Sequence, residues 1–149
     1  MKKQGHITGF YLETLMLIVV FISIILVLTQ VFGLAQLQSV KAKQLTDAVV
    51  LAGNAAEAVS ASDSTDELLS LLNENGNAVP RTDTAGVTAH YGDDLTPEPD
   101  GRYRVDVTWL PEETASGIMI TSVVEVHCGE TEEPVYRLET EAFHPEVSP

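Results

Sequence analysis

The chain has 149 residues, about one domain's worth, with 44% hydrophobic residues, a mean hydropathy of +0.09 and a formal charge of −14. A uniformly acidic soluble chain would be hydrophilic, so charge and hydrophobicity must lie in different segments. Residues 1–43 hold Lys2, Lys3, Lys41 and Lys43 against one acid, Glu13, a net of +3; residues 44–149 hold Arg81, Arg102, Arg104 and Arg137, no lysine and the other 21 acids, a net of −17. The acidic part excludes nucleic acid as a direct partner, because a phosphate backbone needs basic contacts. Cys128 is the sole cysteine, so an intramolecular disulfide is impossible.

No charged residue occurs from Thr14 to Val40, and between Leu15 and Leu28 only Ser23 is polar. Extended to Ala35, the run has 21 residues, enough to cross a bilayer core of about 30 Å at about 1.5 Å per residue. A domain this small has no interior that could surround such a helix, so the lipid bilayer is its expected environment. The residues leave three readings open. Lys2 and Lys3 with the small residues Gly33 and Ala35 suit a cleaved secretory signal. An uncleaved signal-anchor fits equally, with the acidic, lysine-free remainder exported and the N-terminus inside.

The third reading comes from the residues before the run. The stretch from Lys2 through Gly9, Phe10, Tyr11, Leu12 and Glu13 to Leu15 resembles the leader and cleavage region of type IV pilins and type II secretion pseudopilins. In that family a short basic leader ends in Gly, Phe usually follows, and a Glu lies shortly beyond in an apolar helix. The resemblance implies a prepilin peptidase cut between Gly9 and Phe10 and methylation of the new N-terminus at Phe10. It gives Glu13 the task of registering subunits in an assembly. Glu13 is the fourth residue after Gly9, whereas the family usually has it fifth, which marks a divergent or minor member. Independently of any family, a carboxylate in the first turns of a helix is favoured by the macrodipole and kept wet by headgroups.

Beyond the apolar run, Leu34, Leu37, Leu45, Ala48, Ala52, Ala55 and Val59 recur at three- and four-residue steps, with Lys41 in the one remaining place. This is the amphipathic pattern, and its alanines let another layer approach closely. Lys43, Asp47, Asn54 and Glu57 lie on the opposite face. The spacing predicts one helix from about Phe10 to Ala61, on the order of 75 Å long. Ser64 and Glu67 fit a capping box opening a short helix through Leu68, Leu69, Leu71 and Leu72. Residues 77–83 read as loop. Four strands are expected, over 87–91, 102–110, 118–126 and 134–143, with Tyr103, Val105, Val107 and Trp109 sharing one face. The fold class is therefore α+β: a long N-terminal helix, transmembrane first and amphipathic second, packed on a roughly four-stranded antiparallel sheet. The expected divisions are a basic leader (1–9), a transmembrane part (10–35), an amphipathic part (36–61) and an acidic extracytoplasmic head (62–149). That order also resembles the pilin layout.

Little chemistry accompanies this frame. His127 and Cys128 are sequence neighbours on a strand and point to opposite faces; His6, His90 and His144 have no partner at metal-ligand spacing. The acidic loop with Asp93, Asp94, Glu98 and Asp100 carries the oxygen ligands calcium takes, but its spacing matches no EF-hand, and such loops are ordinarily solvated. Glu112 and Glu113 share a turn with nothing to separate their pKa values, and no nucleophile elbow or phosphate cradle occurs. No cofactor and no catalytic residue is assigned.

The expected role is an assembly subunit, single-pass, with a cytoplasmic N-terminus and an exported head. The pilin resemblance implies other pilin-like subunits, a prepilin peptidase, an assembly ATPase and a membrane platform as partners, in a pilus, secretion or DNA-uptake system. The alternative is a membrane-tethered extracytoplasmic binding module that never assembles.

Overall fold

The computed structural model describes the backbone of residues 4–114 and 117–145, so Lys2 and Lys3 of the expected leader lie outside the described residues. Helix α1 spans Gln4–Ala61 without a break. It begins before Phe10, because Gly5 and Gly9 weaken a helix by only about 1 kcal/mol each and nothing else there opposes one. The chain divides inside α1 into two units, Met1–Ala42 and Lys43–Pro149.

In the first unit, every described side chain from Gly9 onward is exposed. Its most apolar 18-residue window has a mean hydropathy of 2.9, and none of that window is buried. Among the described residues, one helix is thus long and apolar enough to span a membrane. Three of its hydroxyls turn back onto the helix: Thr14 Oγ1 donates to the Phe10 carbonyl at 2.9 Å, Ser23 Oγ to that of Val19 at 2.8 Å and Thr29 Oγ1 to that of Ile25 at 2.8 Å. Each donor is satisfied within its own helix, as a polar group in hydrocarbon requires.

The second unit is a helix-on-sheet layer. The rest of α1 buries Ala48, Leu51, Ala52, Ala55 and Val59. Leu45 was expected on that face and is 46% exposed, while Leu51 has turned in. At about 100° per residue the two leucines flank the alanine stripe on opposite sides, and only the Leu51 flank is covered. Ser62 Oγ donates to the Val59 carbonyl at 3.1 Å where α1 ends. Helix α2 (Thr65–Leu72) starts at the Ser64 cap, whose side chain accepts from the Glu67 N–H, and Leu68 and Leu72 face the core.

Five strands follow: β1 (Ala78–Pro80), β2 (Gly86–Tyr91), β3 (Tyr103–Thr114), β4 (Gly117–Cys128) and β5 (Tyr136–Pro145). They form one antiparallel sheet in chain order. The fold class is the expected one, with a correction: β1 lies where a loop was read. Its three residues pair with Val87, Thr88 and Ala89 of β2, and Pro80 is tolerated because β1 is an edge. Strand β3 also runs past its expected end, through Pro111. Strand β2 stops at Gly86, opposite Thr108, so beyond that point β3 pairs only with β4 and a missing N–H on its open side costs no ladder bond.

The face toward α1 carries Val87, Ala89, Tyr103, Val105, Val107, Trp109, Ile120, Val124 and Val126 in one core with the helix alanines. The opposite face, from here on the outer face, carries the alternate residues: Thr88, Arg104, Asp106, Thr108 and Leu110 on β2–β3, Met119, Thr121, Val123, Glu125 and His127 on β4, and Arg137, Glu139, Glu141 and Phe143 on β5. At the Pro99–Gly101 turn, a Cβ on Gly101 would collide with the Tyr91 backbone, so only glycine closes it.

Candidate functional site

The residues proposed for processing and assembly sit on consecutive turns of α1. Gly9 has open space where a Cβ would be. Phe10 is 67% exposed, and its ring meets Tyr11 edge-on with centroids 6.3 Å apart. Glu13 is exposed and makes no hydrogen bond or ion pair with the described residues. Its backbone neighbour Thr14 is the one that bonds back to Phe10. The Gly9–Phe10 peptide is thus helical, and a protease that needs an extended strand must first fray these turns. Gly9 eases that by about 1 kcal/mol relative to alanine.

Where α1 enters the second unit, Asp47 clasps helix to sheet. Its Oδ2 accepts from Lys43 Nζ at 2.7 Å, one helical turn back, and from the Tyr103 hydroxyl at 3.0 Å across the layer. Burial and then the hydrogen bond to Asp47 push the Tyr103 phenol well above its ordinary range, while the Lys43 hydrogen bond leads in holding Asp47 below the usual carboxylate range. Sequence reading placed Asp47 on the solvent face; nothing local signals that a tyrosine 56 residues away reaches it.

The outer face holds a second cluster that sequence alone did not single out. Asp106 is almost buried although it alternates with inward-facing valines, because its neighbours close over it. Thr88 Oγ1 donates to its Oδ1 at 2.6 Å and Arg104 Nε to its Oδ2 at 3.0 Å. Arg81 Nη1 lies 3.8 Å from Oδ1, and His127 Nε2 lies 3.6 Å from Oδ2. Arg81 also grips Asp83 through two nitrogens at 3.0 and 2.7 Å, drawing the Asp83 carboxyl down to about 2. One strand further, Arg137 Nη1 lies 3.5 Å from Glu125 Oε1. Three of the four arginines of the acidic part therefore serve one end of one face. The fourth, Arg102, holds Asp93 at 3.1 Å.

The acidic loop closes on itself. Asp94 Oδ1 accepts from the Thr96 hydroxyl at 2.6 Å and from the Thr96 N–H at 3.2 Å. Among the described residues, no three His, Cys, Asp or Glu side chains converge on a point where a metal could sit. Cys128 is buried on the inner face opposite Tyr103, and His127 is on the outer face with its Nδ1 buried and without a hydrogen-bond partner among the described residues. Comparison with protein-family models, with curated proteins and with solved structures gives no match.

Proposed function

We propose that this chain is a pilin-like assembly subunit, non-catalytic, anchored by α1 with its N-terminus in the cytoplasm and its acidic head outside. The observation that carries the reading is the division of labour along one unbroken helix. Residues 9–40 offer an exposed apolar surface broken by one charge at Glu13, and residues 48–59 supply the helix side of a folded head's core. A simple anchor needs the first property and a simple head needs the second. An assembly helix needs both along one helical segment.

In lipid, the apolar surface holds the subunit laterally, with the hydroxyls of Thr14, Ser23 and Thr29 satisfied within the helix. On extraction, the same surface packs against neighbouring helices. Glu13 is then the register device. A charged side chain costs a few kcal/mol at membrane depth, and an unpaired one in a helix bundle costs as much. The ammonium created at Phe10 by cleavage after Gly9 would neutralise the Glu13 of a neighbour, so subunits settle where the two meet. The prepilin peptidase, assembly ATPase and membrane platform belong to this reading through the resemblance of the leader.

The test is shearing of intact cells followed by sedimentation. The wild-type chain is expected in the sheared, sedimentable fraction, and Glu13→Ala is expected to stay in the membrane with the head still folded. A wild-type chain confined to the membrane under assembly-permissive conditions would replace this reading with the tethered module.

A further inference from the structure

The two sides of the sheet end differently. On one side β1 closes it with three residues, the last of them Pro80. On the other side β5 presents ten, paired to β4 without a bulge from Val126 and Tyr136 to Gly117 and Pro145. The far side of β5 makes no backbone hydrogen bond among the described residues. Strand β3 is also open beyond Thr108, but Pro111 interrupts it. Natural edges are blunted by shortness, proline, a bulge or charge. From Tyr136 to His144, β5 has only the last of these. It leaves a row of free N–H and C=O groups about 30 Å long.

The side chains along that row set what it accepts. Toward α1, Tyr136, Leu138, Thr140 and Ala142 are only half-buried, whereas Val126, Val124, Ser122 and Ile120 opposite them on β4 are buried. The helix layer therefore stops short of β5 and leaves Tyr136 and Leu138 at the rim of the core. On the outer face, Glu139 and Glu141 are exposed, with no cation within salt-bridge distance among the described residues. The cation of that outer row, Arg137, lies 3.5 Å from Glu125 Oε1. Glu132 and Glu133 stand exposed just before the strand.

We infer that the free edge of β5 docks an extended cationic segment of another protein, added to the sheet as a sixth strand. The segment's main chain bonds the free row, and this supplies the affinity. Its alternate apolar residues lie toward α1 and cover Tyr136 and Leu138. The lysines or arginines between them stand directly beside Glu139 and Glu141, where opposite charges attract across a strand pair. Charge also chooses this occupant over a second copy. Another β5 brings two more unpaired glutamates and an arginine already held by Glu125, within a head of the same net −17. The acids thus keep like chains off an edge that a cationic strand can enter. A tethered head and an assembly subunit present the same edge, so the inference stands apart from the reading of α1.

The test is hydrogen exchange on the full chain in zwitterionic detergent, with and without a blocked peptide of about eight residues that alternates valine and lysine. The peptide should slow the β5 amides that β4 leaves free by about tenfold or more, with β1 unchanged. Anisotropy of the labelled peptide gives its Kd. Glu139→Lys combined with Glu141→Lys should weaken that peptide about tenfold and admit a valine–glutamate peptide in its place. Two controls should also bind about tenfold more weakly: the same composition with valines and lysines in separate blocks, and the alternating peptide methylated on every backbone nitrogen. Emission of Trp109, buried in the core, verifies folding in each variant. Controls that bind as well as the alternating peptide would reduce the contact to surface charge and overturn the inference. So would an absence of protection on β5, or protection of another face instead. Protection of β5 that rises with protein concentration in the absence of peptide would give the edge to a second copy and overturn it as well.

Discussion

Replacing Tyr103 by Phe tests whether the clasp at Asp47 holds α1 to the head. The phenol is 2% exposed as a residue and donates to Asp47 at 3.0 Å. A hydrogen bond to a charged group contributes about 1.5–3 kcal/mol. Here Asp47 keeps Lys43 at 2.7 Å and its side chain is 15% exposed, so water and lysine recover part of the loss, and Tyr103→Phe should cost about 1–1.5 kcal/mol. Asp47→Ala is the harsher change. It strands a buried hydroxyl, at about 1–3 kcal/mol, and removes an exposed i,i+4 ion pair contributing about 0.3–0.5 kcal/mol. Alanine's better helix propensity returns about 0.5 kcal/mol. The double variant leaves nothing stranded, so the cycle should show a coupling of about 1 kcal/mol. In detergent-solubilised full-length chain, Trp109 emission followed against urea or temperature reads each loss, at about 4–8 °C per kcal/mol for a head of this size. Additive losses, with coupling under about 0.3 kcal/mol, would refute the clasp.

The remaining predictions use the same fluorescence readout. Tyr103 is protonated in the fold above its ordinary 10.0, so its contribution is complete below pH 10 and is lost as pH rises beyond it; Tyr103→Phe should flatten that alkaline limb. Asp83 has the opposite sign: its pKa falls from 3.8 to about 2 in the fold, so its contribution is present above pH 3.8 and is lost as pH falls toward 2, and Asp83→Asn should flatten the acid limb. Neighbouring helix positions should respond oppositely. Ala52 is fully buried against the sheet, and Ala52→Leu should cost about 1–3 kcal/mol by overpacking. Gly53 has open space around a built Cβ, and Gly53→Ala should gain about 0.5–1 kcal/mol.

Periodicity made most of the head readable. The alternation of Tyr103, Val105, Val107 and Trp109 placed β3 and its buried face, and the alanine stripe placed the helix face that covers it. What stayed hidden follows from tertiary context. Pro80 and Pro111 are local signals against strands, and they are admitted because each lies where one side of its strand has no ladder partner. Leu45 and Leu51 flank the stripe on opposite sides, and which flank the head covers is set by packing that no local pattern reports. Asp106 reads as an ordinary outward residue of β3; its burial depends on Arg81, Thr88 and His127, which arrive from three other segments. The candidate assembly segment was legible only as a local motif, Gly9, Phe10 and Glu13, since its partner in the proposed assembly is another chain.

The central claim is that α1 is a processed assembly helix, and the intact mass of the native chain from membrane and medium fractions tests it most directly. The account predicts a chain beginning at Phe10 and carrying one added methyl group. A full-length chain from Met1 would contradict processing and leave a tethered head, and a chain beginning at Gln36 would make the apolar segment a secretory signal.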